Sequence, residues 1–376
     1  MSDPVATVDG LVAAASTIAG SSDFGGEDFV AGLTVLLDSY ERDEELTELG
    51  RKVKRADLRG ALVARLLCEA SWAQHPGAAG VAIERPIFVT GLPRTGTTAL
   101  HRLLCADPGA QGLQQWLCDA PQPRPPRETW ADNPLHRHIA AGFAAFHAAR
   151  PEFAGVHYID ADTVEECWQL LRQSAMSVSY ESLAHVPTYS AWLAEQDWTP
   201  AYRRHRRNLQ LIGSNDAGKR WVLKNPSHLF ALDALFAVYP DALVVQTHRD
   251  PCDAVASSCS LSALATRGHS TRFAGATIGA DQLALLSRGA RTFAAARRGR
   301  DPTRFLDVQY RDLVADPVGT VRRVHEHFGL AWTPAVEAAV IAEDAASRSG
   351  SRAPRHRYAL EDFGLTAAQV GAAFAA

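Results

Sequence analysis

The stretch Gly91-Leu92-Pro93-Arg94-Thr95-Gly96-Thr97-Thr98 has the residue types of a loop that wraps an anion. Gly91 and Gly96 fall on the two glycine positions of the phosphate-binding pattern G-x-x-x-x-G-K-[ST], and Thr98 falls on its hydroxyl position. Thr97 stands where that pattern has lysine. In nucleoside triphosphatases the lysine reaches the outer phosphates while the hydroxyl holds magnesium, so its loss argues against ordinary ATP or GTP hydrolysis. The rest of the cradle survives: backbone N–H groups of the loop, the positive end of a helix starting near Thr97, and the donor fork of Arg94. Thr95, Thr97 and Thr98 add three neighbouring hydroxyls. Such a loop suits a phosphate-like group handled by arginine, amides and hydroxyls, with no metal.

A second anion site is predicted around Arg249. Asp250 followed by Pro251 is a helix-start signature, a capping residue and then proline at the first helical position. Arg249 therefore stands at the carboxyl end of a strand, where open α/β sheets bind ligands. Ser257, about two turns into the new helix, can join it. Arg249 could equally pair with Asp250 or Asp253, and two further features favour the ligand. Tyr310 follows another strand end, where it can lie on an adenine or edge a phosphate. Arg348, Arg352, Arg355 and Arg357, with His356, form a basic stretch without an acid, suited to a lid over a polyanionic nucleotide. Two phosphate sites on one sheet suggest a bis-phosphorylated nucleotide.

The elements that must hold these residues are short apolar runs separated by helical patterns. Pro86–Thr90, Trp221–Leu223, Ala242–Gln246 and Phe305–Val308 read as strands buried on both faces of a parallel sheet. Thr163–Leu183, Ala201–Ile212 and Ala280–Arg297 read as helices between them. The pattern predicts an α/β fold of P-loop type, three layers with a central parallel sheet and added helices. Residues 1–84 read as a helical lead-in with a charged link over Glu41–Lys54. Residues 85–376 form the α/β domain, with a helical cap over about 110–220 and a basic lid over about 345–376. Pro121–Pro126 reads as a surface loop of polyproline character.

Composition narrows the function classes. The 376 residues carry 38 Lys+Arg against 42 Asp+Glu, a formal charge of −4, which gives no electrostatic reason to expect nucleic acid as partner. Hydrophobic residues make up 47% and charged ones 21%, an ordinary globular balance rather than a disordered one. No run is long enough to cross a bilayer. Leu11–Gly20 is not read as a secretory leader, because Asp3 and Asp9 precede it and the first positive residue is Arg42. Six cysteines lie scattered without a C-x-x-C pair, as reduced thiols do in a cytoplasm. A cytoplasmic protein without stable membrane insertion is expected. Its helices could pair subunits, and the sequence leaves the oligomeric state open.

Five motifs in order resemble the PAPS-dependent sulfotransferase family, in its bacterial branch with a Pro-Arg-x-Gly-Thr-Thr loop. They are GLPRTGTT (Gly91–Thr98), WVLKNPSH (Trp221–His228), VVQTHRDP (Val244–Pro251) with Ser257, VQYRDLVADP (Val308–Pro317) and HRYALEDFGL (His356–Leu365). The resemblance spans roughly Pro86 to Leu365. It implies that Arg94, Thr95, Gly96, Thr97 and Thr98 bind the 5′-phosphosulfate of 3′-phosphoadenosine 5′-phosphosulfate (PAPS), and that Arg249 and Ser257 bind its 3′-phosphate. Tyr310 then contacts the adenosine, and Arg352 and Arg355 help close over it. The implied reaction is transfer of the sulfuryl group to a hydroxyl of a small metabolite or lipid, without a metal. Arg94 would act on the leaving oxygen and Lys224 on the sulfuryl oxygens.

The acceptor also needs a general base. Relatives place a histidine near the lysine-bearing strand end or a glutamate after the loop helix. Here Trp116-Leu117 stands where Trp-Glu would be expected. His228 is the best substitute; Asp119, His101 and Glu166 are weaker ones. Gln114–Arg127, Phe143–Tyr158 and Leu261–Phe273 are expected to line the acceptor pocket, with Trp116, Phe153, His157 and Tyr158 framing an apolar substrate. A sulfotransferase-like nucleotide-binding protein with diverted or lost chemistry is the alternative, and a P-loop kinase a more distant one.

Overall fold

A computed structural model describes residues 5–151, 158–348 and 358–375. Among them, five strands build one parallel sheet: β1 (Ile87–Gly91), β2 (Ala110–Gln111), β3 (Arg220–Lys224), β4 (Leu243–His248) and β5 (Phe305–Gln309), in the order β2-β3-β1-β4-β5. Every pairing is parallel, so the carboxyl ends of all five face one edge. The chain leaves β1 for one side of the sheet and returns on the other at β4, which makes the crest of β1 a topological switch point.

The alternation of side chains along β1 explains its unbroken apolar run. Ile87 and Val89 enter a cluster with Leu100, Leu103, Leu104, Val321 and Val340, from the helices on one face. Phe88 enters a second cluster on the other face, with Trp116, Leu209 and Tyr239. Residues one apart point to opposite faces of a strand, and burial on both faces requires both to be apolar.

The four sequence-assigned strands are all present, each within two residues of its expected limits. β2, with only two residues, gives no pattern and was not foreseen. The helix expected at Ala201–Ile212 runs Thr199–Ile212, and the one at Ala280–Arg297 starts earlier, at Gly275. Thr163–Leu183 is not one helix. It holds short helices at Trp168–Arg172 and Ser179–Ser182, with Ala175 at φ 52° between them. The start of that segment is extended: Val164 bridges Gln114, the Glu165 amide donates to the Leu113 carbonyl, and the Cys167 amide donates to the Lys224 carbonyl. Tertiary pairing takes the backbone groups a helix would have used.

The lead-in is helical, as α1 (Val8–Ala19), α2 (Val30–Arg42) and α3 (Glu48–Gln74). Thr7 and Thr47 cap α1 and α3 by accepting from Gly10 and Gly50 amides. The charged stretch Glu41–Lys54 is largely helical, because α3 already begins at Glu48. Leu11, Leu36, Leu58, Leu66 and Phe88 all belong to one buried cluster, so the lead-in packs into the same core as the sheet. At the other end, Leu360, Phe363, Leu365 and Val370 pack against Val255, Ile278 and Leu286. The described part of that segment after residue 357 is an apolar anchor, while most of the basic stretch of the expected lid lies outside the described residues. Arg352 and Arg355 lie outside the described residues. Among the described residues no helix is long and apolar enough to cross a membrane.

Candidate active site

The turn after β1 is shaped by two glycines. Gly91 has φ 148°, and a Cβ there would lie 2.5 Å from Thr247 Oγ1 and 2.6 Å from the Thr247 carbonyl oxygen, its register partner on β4. Gly96, at φ 90°, is the N-cap of α4 (Thr97–Cys105), and a Cβ there would meet Leu313 and the Tyr310 ring. No side chain caps α4. Its first-turn N–H groups are therefore not claimed by a capping side chain, which is the arrangement an anion needs at a helix start.

Thr95 does not join that cradle with its hydroxyl. It is fully buried, donates to the Leu92 carbonyl at 2.6 Å and shares a hydrogen bond of 2.6 Å with Thr247. The expected anion ligand is instead a brace that holds the loop on β4. Thr97 and Thr98 do face a cavity of about 290 Å³, together with Arg94, Gly96, Arg249 and Tyr310.

Around Arg94 and Arg249 the structure assembles the second predicted site. Arg94 adopts φ 69° and its Nε donates to Ser257 Oγ at 3.1 Å. Arg249 donates to the Arg94 carbonyl at 3.2 Å, and its guanidinium lies over the Tyr310 ring at 4.6 Å. It also pairs with Asp253 at 3.1 Å, a carboxylate whose side chain is 58% exposed and so contributes little. Tyr358, from the fifth motif, packs against the cluster of Val255, Ile278 and Phe363 and hydrogen-bonds the Arg249 guanidinium. Burial lowers the pKa of Arg94, Tyr358 and Tyr310 counter it, and Arg249 adds like-charge repulsion. Two crowded guanidinium groups whose acidic neighbour is mostly in solvent favour a dianion between them.

Lys224, Thr98 and Glu166 form a third cluster. Lys224 is fully buried, although lysine is rarely so. Its ammonium donates to Glu166 Oε1 at 2.5 Å and to Thr98 Oγ1 at 3.1 Å. Asn225 Nδ2 reaches the other carboxylate oxygen of Glu166 at 3.3 Å, while Asn225 Oδ1 caps the turn Pro226–Leu229. Burial pushes the neighbouring Glu165 carboxyl up, with Lys224 and Arg102 pulling it back.

His228 is not part of this cluster. It is fully buried, its Nδ1 is 2.6 Å from the Tyr202 hydroxyl, and its ring packs edge-on against Phe88 at 5.0 Å. Burial and His205 hold its pKa well below the usual value. One turn after the strand end, the chain has carried His228 into the core. His101 is likewise buried, held to the Val222 carbonyl at 3.1 Å with its pKa lowered to about 3 by burial and Lys224. Burial raises Asp119 to about 6; it bonds Gln115 and borders neither cavity. Of the four acids and bases weighed from sequence, Glu166 is the one the fold delivers to the site.

A second cavity of about 260 Å³ adjoins the first, and Pro93, Glu166, Pro226 and Leu261 line both. Glu166 is the ionisable group among those four. Of the expected pocket segments, Gln114–Arg127 supplies Gln115 and Leu261–Phe273 supplies Leu261, Ser262 and Ala265; Ile159 lies one residue past Phe143–Tyr158, and much of the wall comes from Glu165–Leu183. Trp116 is fully buried against Trp130 and His136. Phe153 and His157 lie outside the described residues. Asn225, which holds Glu166, and Tyr358, which holds Arg249, were not singled out from sequence, though both stand inside the quoted motifs.

A profile of the Sulfotransferase family matches residues 86–334. The omega-hydroxy-beta-dihydromenaquinone-9 sulfotransferase Stf3 of Mycobacterium tuberculosis is 28% identical over 266 residues, or 66% of this chain. The match spans 64% of that relative's length. Among solved structures, sulfotransferase STF1 from Mycobacterium tuberculosis is 56% identical with a TM-score of 0.93, covering 100% of both chains. Sulfotransferase STF9 from Mycobacterium avium is 28% identical with a TM-score of 0.89, covering 100% of this chain and 96% of that one.

Proposed function

This chain belongs to the sulfotransferase family, and from that premise we propose that it moves a sulfuryl group from PAPS to a hydroxyl of a small metabolite or lipid. The observation that carries the reading is the shared wall of the two cavities, where Glu166 stands with its carboxylate held from behind by Lys224, which also bonds Thr98 of the donor-side cavity. The family supports PAPS as donor, and the residues present suit it. The uncapped start of α4 with Thr97 and Thr98 fits the 5′-phosphosulfate, and Arg249 with Ser257 fits the 3′-phosphate.

In this reading Glu166 accepts the proton of the acceptor hydroxyl as its oxygen attacks sulfur. The bond from sulfur to the bridging phosphate oxygen breaks, and its electron pair leaves with 3′-phosphoadenosine 5′-phosphate (PAP). Negative charge grows on that leaving oxygen. Lys224, the loop amides, Thr97, Thr98 and Arg94 supply fixed positive ends around it. Asn225 and Lys224 keep the Glu166 carboxylate in place. Of the catalytic trio taken from sequence, Arg94 and Lys224 remain and Glu166 takes the place of His228.

The test is transfer of labelled sulfate from PAPS to hydroxylated acceptors. Glu166→Gln keeps the shape and removes the base, so turnover should fall by roughly 10²–10⁴ while PAP affinity stays within a few-fold. Full turnover in E166Q would remove Glu166 from the reaction.

A further inference from the structure

The cavity that adjoins the donor site has a chemistry of its own. Its apolar wall comes from Ile159, Trp168, Val178, Leu183, Leu261 and Ala265. Among the described residues no lysine, arginine or histidine lines it, whereas Glu165 and Glu166 do. Lys224 and Arg102 pair with these carboxylates from behind the wall, so among the described lining residues an anionic acceptor would meet two carboxylates and no cation. At about 260 Å³ it lies below the usual range of small-molecule pockets, which limits the enclosed part of an acceptor to one or two rings.

One polar group at this wall has no partner. Ser258 is 3% exposed, and its hydroxyl oxygen has no hydrogen-bond partner among the described residues. Buried hydroxyls are seldom left so. Its neighbour Ser257 accepts from Arg94 on the donor side. Successive helical residues are turned by about 100°, so the helix Pro251–Ala265 can present Ser257 to the donor site and Ser258 to the second cavity.

We propose that this cavity takes an uncharged, mostly apolar alcohol or phenol of one or two rings that carries a second oxygen, and that Ser258 positions it by hydrogen-bonding that oxygen. The inference rests on the sulfuryl-transfer reading above. Within it, Ser258 is a positioning residue that sets acceptor preference without touching the reacting atoms.

Three isosteric probes test it: 2-naphthol, 2,6-dihydroxynaphthalene and 6-hydroxy-2-naphthoate, each with labelled PAPS. The dihydroxy compound should be the best acceptor, and the carboxylate at least tenfold worse than 2-naphthol in kcat/KM. Ser258→Ala should lower kcat/KM for the dihydroxy compound by about five- to tenfold, chiefly through KM, as loss of one hydrogen bond does. It should leave 2-naphthol turnover and PAP affinity unchanged. Thermal stability should be equal or higher, since an unsatisfied buried hydroxyl is removed. Equal losses on both neutral probes, or a carboxylate accepted as well as 2-naphthol, would overturn the proposal. PAP binding with no transfer to any probe would overturn the acceptor class alone. Failure to bind PAP at all would instead reject the sulfuryl-transfer reading beneath it.

Discussion

Arg94 stands between the two anion sites proposed for the donor. Its backbone belongs to the loop after β1, and its Nε is tied to Ser257 at 3.1 Å on the helix that follows β4. If the Arg94 guanidinium acts on the leaving oxygen, Arg94→Ala should depress kcat by more than it weakens PAP binding. Single-turnover rates beside PAP titrations separate the two, and an equal loss in both would make Arg94 a binding residue only. Arg94, Lys224, Arg249 and Tyr310 could be placed at the sheet edge because each sits at or just after a strand end, and Ser257 because helix geometry sets it about two turns into the helix after β4. The base was not. His228 looked apt through its nearness to Lys224 along the chain, yet one turn of 3₁₀ helix swings it into the core. Glu166 is 58 residues from Lys224 in sequence, and only the extended run before Trp168 brings it there.

At the level of elements, the crest of β1 depends on a strand pairing that tolerates no side chain at Gly91. Gly91→Ala would place a methyl group against the Thr247 backbone at a φ that L-residues rarely adopt. The substitution should cost about 2 kcal/mol or more and shift the Thr95–Thr247 brace on which the loop rests. A lower Tm together with weakened PAP binding is expected; a wild-type Tm would show that the turn has slack. The Asp250-Pro251 helix start was read correctly because capping is local: Asp250 Oδ1 accepts from the Cys252 amide at 2.8 Å. The break in Thr163–Leu183 was invisible for the opposite reason. Its cause is backbone pairing with Leu113 and Lys224, which lie far away in sequence. β2 is too short for any periodicity to register.

For the molecule as a whole, the helical lead-in and the sheet share a core that encloses neutral histidines. His101 and His205 are pulled down to about 3 and His228 well below its usual value, each chiefly by burial. Their folded pKa values lie below the unfolded value near 6.5. The unfolded chain therefore binds more protons as pH drops through that value, and stability is lost from about pH 6.5 downward. Each histidine contributes a slope of up to about 1.4 kcal/mol per pH unit. Asp119 works the other way. With its folded pKa raised to about 6, its contribution is full below its unfolded value and is lost as pH rises through 6. The three histidines, with His269 lowered to about 4 by burial and acting the same way, outweigh Asp119 and the raised Glu165 and predict a urea midpoint that falls from pH 7.5 to 6 and again to 5. A midpoint that holds or rises over that range would mean these histidines are not buried neutral.

In the donor reading proposed above, two separate cationic ends of one sheet edge grip two phosphates of one nucleotide. That grip is tested most directly by titrating PAP and AMP, which differ only in the 3′-phosphate, into the wild-type chain and into Arg249→Ala. The wild type should prefer PAP by tenfold or more, as a charge-assisted phosphate contact implies, and Arg249→Ala should bring the two affinities together while leaving AMP binding nearly unchanged. Equal binding of PAP and AMP by the wild type, or an undiminished preference in R249A, would contradict it.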